Sequence, residues 1–539
     1  MKEHLTSILT TLTQNQFGLF VIYMCLAALA LRHLDRDRTI LRSKNLLRLA
    51  TGLSVLVIAI YLMALVNYLL YPNYVDHVEA TVASVAWLGM HGYAFYPNWV
   101  TDDVYGIPYG PILYLLHGLF LLIAPTLTTT KILGVVSLLV AFGLIYTVIK
   151  PKVGTHLTSF VFIASLAMLF VPFRWTAFWS RSEPFLILIS ALALLVAIRL
   201  RPLAAGAIIG VLAGLAAGFK LHGIIYVAPI AIMALAKAKI PRDQIILVVI
   251  GVACATMFAL LPFCVKEASL VGYSQYLKLY ADHGFSLDVF RWNISVALVL
   301  FAPIAGIWYW RRPAIDRSEF WLLTGLCISI AITVIIASVS GAGPYHLLPF
   351  FPLCLYAAIV VSDASAAEAS RIIAVIFLLS LLAYGPYGGR LMADYYYNSP
   401  AEHHKISELR AYLVTYPDAQ IGMSDDTHYP DTYYRILSVL QGHALHVDFD
   451  VWGEMAYVGV GEKNIIRFIK RCAVPTWILP LGEPFTERSF YTELPLLSDD
   501  FRQTFSTNYK LIQMGQYYQV WACRSSAEKT EPNKSQLYD

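Results

Sequence analysis

Charge is what this sequence has least of: Asp, Glu, Lys and Arg make up 14% of its 539 residues. The long apolar segments hold none of the four in their interiors. An ion- or proton-driven carrier keeps ionisable groups inside its spans, where each costs at least about 2.5–3.5 kcal/mol and is retained for a function. That absence disfavours such a carrier. The phosphate-binding pattern G-x-x-x-x-G-K-[ST] is also missing, and no cytoplasmic segment is large enough for a nucleotide-binding domain. An ATP-driven pump within this chain is excluded. No basic run interleaved with aromatics marks a nucleic-acid surface. The Lys/Arg-rich leader of a signal peptide is lacking before the first apolar run. That run reads as an uncleaved anchor, although Ala28-Leu29-Ala30 has the small residues of a cleavage site.

Apolar residues are abundant: 58% of the chain is hydrophobic and the mean hydropathy is +0.61. Soluble domains do not reach these values. Runs near 17–32, 47–70, 131–149, 155–173, 184–198, 203–219, 221–236, 244–262, 294–310, 320–340, 345–361 and 371–387 have the length a bilayer requires, which makes about twelve spans. The expected fold is an α-helical polytopic membrane protein with a small C-terminal extracytoplasmic α/β domain. Loops 32–48, 150–152, 199–201, 237–242, 311–317 and 362–371 carry 17 Lys/Arg and by the positive-inside rule face the cytoplasm. The opposite loops are longer and collect the carboxylates. The largest, 71–130, contains YGPILYLLHGLFLLIA at 109–124, read as an interfacial or re-entrant helix. DHVEATVASVAWLGMH at 76–91 reads as an amphipathic helix lying flat on the membrane surface.

Residues 1–389 hold 25 Lys/Arg against 16 Asp/Glu, while 390–539 hold 14 against 19. The chain divides accordingly into a basic transmembrane module, 1–389, and an acidic outer domain, 390–539. Strands are expected at 419–424, 474–481 and 509–523, and helices at 402–416, 432–442 and 462–471. The glycines 206, 210, 214 and 218 recur every fourth residue and predict close helix packing. Five of the seven cysteines fall in or beside spans. Cys472 and Cys523 are the pair in the outer domain, and an oxidising compartment makes them a disulfide candidate.

Chemistry is sought among the few charges at the outer ends of the spans. Asp76 and Glu79 share a helix face beside His77; a positioned carboxylate suits a general base, and Asp followed by Glu three residues on also suits a helix cap. Asp102 and Asp103 lie in a loop that reads as a turn or as a weak metal pair. Lys220, in GFKLHG, reads as a phosphate-binding cation or as a lysine snorkelling to lipid headgroups. Arg174 and Arg181 flank FRWTAFWSRSEP with Glu183 beside them, for phosphate or sugar contact or for a local salt bridge. His346, with Tyr345 beside it, opens a span; His222 is the weaker histidine candidate.

The order of these features resembles the GT-C superfamily of integral-membrane glycosyltransferases. The resemblance is carried by Asp76, His77 and Glu79, by Gly92 to Pro97, by YGPILYLL at 109–116 including Tyr109, by SRSEPFLIL at 180–188, by GFKLHG at 218–223 and by YHLLPFFP at 345–352. It implies a single sugar moved from a polyprenyl-phosphate donor to an acceptor hydroxyl on the outer, periplasmic face of the membrane, with inversion. Asp76 would be the base, and Lys220, Arg181 or His346 would hold the departing phosphate. The acceptor class stays open between lipid, glycan and protein. No metal is implied as a requirement, because the chain reads as lacking a clear D-x-D. His77 stands where two subfamilies carry a second carboxylate. Two other readings remain: a polymerase or ligase moving a pyrophosphate-linked chain, and a flippase or permease for a lipid-linked substrate. The compact loops lean towards a bacterial inner membrane.

Overall fold

Residues 44–101, 103–311, 315–362, 365–423 and 433–524 are described by a computed structural model. The span read at 17–32 lies outside them. Nine helices among the described residues are long and apolar enough to cross a membrane, from Asn45–Leu70 to Ala367–Gly385. Two further expected spans form helices short of that length, Glu183–Arg199 and the segment Leu221–Lys237. The chain is therefore a polytopic membrane protein, with a count that depends on how these shorter helices are treated.

The chain divides into two compact units. One comprises Met1–Leu70, Lys131–Pro262 and Gly284–Tyr397; the other comprises Tyr71–Thr130, Phe263–His283 and Asn398–Asp539. The first outer loop thus groups with the C-terminal part of the chain. Within the first unit, the regular glycines do what their spacing predicts. Helix Pro202–Phe219 packs on helix Pro241–Leu260, and a Cβ at Gly210 or Gly214 would collide with the carbonyl of Gly251 or Ala255. Lys131 departs from expectation. It lies inside helix Leu127–Val153 with no exposure, its Nζ donating to the Tyr68 carbonyl at 3.1 Å and standing 4.9 Å from that ring's centroid. A buried cation is tolerated when a carbonyl and an aromatic face replace its water.

The second unit begins with helix His77–Met90. It is not an amphipathic surface helix: residues 79–86, 88 and 89 are all buried, so packing covers more than one face. Gly118 of helix Pro111–Ile123 lets the two helices touch at Met90 and the Ala86 carbonyl. A tyrosine core joins the motif residues. Tyr96 donates to the Tyr109 carbonyl at 2.5 Å, Tyr114 to the Ile107 carbonyl at 2.8 Å, and Tyr276 of helix Leu270–Ala281 to the Tyr105 carbonyl at 2.5 Å.

In the C-terminal part, the last span and the helix expected at 402–416 are one 50-residue helix, Ala366–Thr415. The strands β1 (Ala419–Ile421), β2 (Thr476–Pro480), β3 (Tyr509–Met514) and β4 (Tyr518–Cys523) form a sheet in the order β1-β2-β4-β3. β1 and β2 are parallel and the other pairs antiparallel. The single strand expected at 509–523 is a hairpin, because Gly515 and Gln516 break the run. Leu409 and Leu413 of the long helix pack against Ile421, Ile478 and Val520 of the sheet. Two short helices escaped the apolar periodicity, Phe449–Tyr457 and Asp499–Asn508. Cys472, just past helix Lys463–Arg471, is disulfide-bonded to Cys523 at the end of β4, with Cα atoms 5.9 Å apart.

Candidate active site

In the first unit, six of the expected residues come together. Glu183 is the first residue of its helix, at the end of a loop in which residues 177 to 183 are buried. Its carboxylate accepts from the Trp179 indole at 2.9 Å and from Lys220 at 3.1 Å, and lies 3.9 Å from the Arg181 Nε. Lys220 is where helix Pro202–Phe219 ends: its backbone turns extended (φ −158°), and its charge suits the partial negative end of that helix. The same ammonium stands 3.2 Å from Nδ1 of His346. An ammonium can only donate, so this ring nitrogen is the acceptor and the imidazole is neutral. The Arg181 guanidinium lies 3.9 Å from the Trp179 centroid and 5.1 Å from that of Tyr345, and donates to the Tyr345 hydroxyl at 3.5 Å. His222 completes the group, its ring 5.2 Å from that of His346.

Two cations therefore meet one carboxylate in a nearly closed environment, Arg181 being 6% and Glu183 1% exposed. Burying these charges is repaid only when geometry and hydrogen bonds are good. The aromatic rings of Trp179 and Tyr345 keep water from the guanidinium and add cation–π attraction. Among the described residues, Arg181 and Lys220 thus both reach the single carboxylate of Glu183. Arg174 adopts a left-handed backbone (φ 52°), with its guanidinium 5.3 Å from the centroid of its neighbour Trp175.

The second unit holds the acidic candidates. Asp76 is the N-cap of helix His77–Met90, Oδ1 accepting from the Val78 amide at 3.0 Å. Its side chain keeps 21% exposure, and Oδ2 stands 4.0 Å from Nδ1 of His77. Capping and access to a reactant are thus compatible in this carboxylate. Glu79 differs: it has no exposure, and its carboxylate accepts from the Val75 amide at 3.0 Å, which braces the entry to the helix. Asp103 receives Nδ1 of His446 at 2.7 Å, where Val104 and Val447 bridge the two segments in parallel. Asp102 lies outside the described residues. Tyr109 is buried in the tyrosine core.

The sequence reading missed a neighbouring cluster. Arg435 is 2% exposed; its Nε is 3.0 Å from Asp448, its Nη1 2.7 Å from Asp450, and its Nη2 donates to the His77 carbonyl at 2.9 Å and to the Thr81 hydroxyl at 2.6 Å. Thr81 in turn donates to Asp448 at 2.8 Å. This clamp grips the first turn of the helix that Asp76 caps. Asp448-Phe449-Asp450 has the D-x-D spacing, so the chain does contain that pattern. Here a guanidinium fills it. Burial pushes the Asp448 carboxyl above its ordinary range, against the pull of Arg435. Among the described residues, no group of three or more His, Cys, Asp or Glu side chains is arranged to hold a metal ion.

Fold and helix content define the class: a helical, integral-membrane protein. Among solved structures it is similar to ArnT from Cupriavidus metallidurans bound to undecaprenyl phosphate. The identity is 12% and the TM-score 0.54, over 90% of this chain and 100% of that one. No family model and no curated protein matches the sequence.

Proposed function

We propose that this protein is a membrane glycosyltransferase that moves one sugar from a polyprenyl-phosphate donor to an acceptor hydroxyl. The observation that carries the reading is the pair of buried cations gathered at Glu183, set in a fold shared with a protein whose structure holds undecaprenyl phosphate. Lys220 and Arg181 are assigned to the donor phosphate, with Tyr345 and His346 shaping their surroundings. Asp76 is assigned as general base. It takes the proton of the acceptor hydroxyl as that oxygen bonds to the anomeric carbon. The bond from that carbon to the phosphate oxygen breaks, its electron pair leaving with the polyprenyl phosphate, and displacement from the opposite face inverts the anomer. The cations stabilise the charge that develops on the leaving oxygen. No metal has a part in this scheme. The site is placed on the periplasmic side of a bacterial inner membrane.

The test is purified protein in lipid with a panel of polyprenyl-phosphate sugars, read by mass spectrometry of the lipid released. Sugar transfer is expected, and Asp76→Asn is expected to lower turnover by about 10²–10⁴, the usual worth of a positioned base. Activity of Asp76→Asn equal to the parent removes Asp76 from this role. Lipid-linked substrate crossing the membrane without product would mark a flippase, and transfer only from pyrophosphate-linked chains would mark a polymerase or ligase.

A further inference from the structure

Three segments of the second unit gather aromatic rings and a carboxylate next to Asp76. His283 is 5% exposed and lies among three tyrosines: Tyr280 stacks on it at 5.2 Å, and Tyr457 and Tyr491 meet it edge-on at 5.2 and 5.5 Å. Tyr457 and Tyr491 stack on each other at 4.3 Å. Glu454 and Tyr457 are three apart on helix Phe449–Tyr457 and so share a face. Glu454 Oε2 accepts from the Tyr491 hydroxyl at 2.6 Å and stands 3.6 Å from Nε2 of His283; Oε1 stands 3.9 Å from Nε2 of His77. The other nitrogen of His77 is the one 4.0 Å from Asp76. Glu454 keeps 16% exposure and His77 28%. The Tyr280 hydroxyl is buried with no hydrogen-bond partner among the described residues.

A cluster that served packing alone would have little use for a partly exposed carboxylate, two imidazoles and an unsatisfied phenol, since a buried polar group without a partner costs free energy. A ligand rich in hydroxyls uses all of them. Carboxylate oxygens accept from hydroxyls, and neutral imidazole and phenol both donate and accept. The tyrosine faces offer flat apolar surface to the C–H face of a ring.

We propose, resting on the reading of Asp76 as the base, that Glu454, Tyr280, Tyr457, Tyr491 and His283 bind the sugar ring of a carbohydrate acceptor, one of whose hydroxyls is presented to Asp76. The acceptor is then a glycan or glycolipid headgroup rather than a peptide side chain or a plain lipid alcohol.

The test uses the full chain in lipid nanodiscs free of sugar detergents, with methyl glycosides of common hexoses and pentoses as probes in saturation-transfer NMR. The parent protein is expected to saturate the ring protons of at least one glycoside. Glu454→Gln is expected to raise the half-saturating concentration about tenfold, the worth of a hydrogen bond to a charged group. Failure of every glycoside to bind the parent overturns the proposal, as does equal binding by a folded Glu454→Gln. If that variant does not fold, Tyr491→Phe, which keeps the ring and removes its bond to Glu454, decides in the same way. Glycoside binding with no transfer from any polyprenyl-phosphate donor would sink the transferase reading and keep this subsite. Transfer to an acceptor without sugar, with no glycoside bound, would do the reverse.

Discussion

The two units each bury a small set of charges, and the sets are of opposite sign. Around Glu183, one carboxylate faces Arg181 and Lys220; around Arg435, one guanidinium faces Asp448 and Asp450. The first is backed by aromatic rings and sets two cations at one carboxylate. The second is laced by hydrogen bonds from Thr81 and to the His77 carbonyl, and its surplus is negative. The difference teaches which set is built for a ligand. On the proposed reading the two cations at Glu183 take the lipid phosphate, whereas in the acid pair burial raises the carboxyl of Asp448, and the guanidinium already spans both acids. We read the first as a binding cluster and the second as a clamp on the helix that bears Asp76.

The sharpest way to break this comparison is Arg435→Met. It leaves two buried carboxylates without their cation, and the expected loss of stability is about 3–5 kcal/mol, seen as a lower melting temperature. Adding Asp448→Asn and Asp450→Asn should restore much of it. A single variant as stable as the parent would deny the clamp. Glu183→Gln comes next: the buried cations lose their counter-charge, so the protein is expected to melt lower. Undecaprenyl phosphate should then raise its melting temperature by more than it raises that of the parent, because a ligand stabilises the state it binds. Equal shifts would mean the anion does not meet this cluster. The smallest effect is expected for Asp103→Asn, whose half-buried pair with His446 is worth at most about 1 kcal/mol. A larger loss would move Asp103 from a loop tie to a central support.

The same contrast explains how much was readable from the sequence. In the first unit charges are so rare that most of those outside the basic loops stood out. Arg181, Glu183, Lys220, Tyr345 and His346 were singled out as candidates by position and motif, and the structure brings them together. Lys131 was missed because it stands at the first position of its expected span, its charge accommodated by Tyr68, which is 63 residues away. In the second unit charges are ordinary, and nothing local singles out Arg435 or Asp448. Their cluster exists only because Thr81 and Asp448, 367 residues apart, meet in the folded chain. Helix Phe449–Tyr457, which carries Glu454, is nine residues long and too short to announce itself by periodicity. The apparent surface helix at 76–91 failed for a related reason: a stripe of Val and Ala fits lipid or protein equally well, and here packing reaches the other face also. Asp76 was read both as cap and as base. Its capping bond to Val78 is in place, and its exposure leaves it accessible to a substrate.

The central claim is that the two cations gathered at Glu183 hold the lipid phosphate, and titration of undecaprenyl phosphate onto the parent, Lys220→Ala and Asp76→Asn proteins tests it most directly. Loss of one charge-assisted contact should weaken binding to Lys220→Ala by about tenfold, while Asp76→Asn binds as the parent does. Equal affinity of the parent and Lys220→Ala for the lipid phosphate would contradict the account.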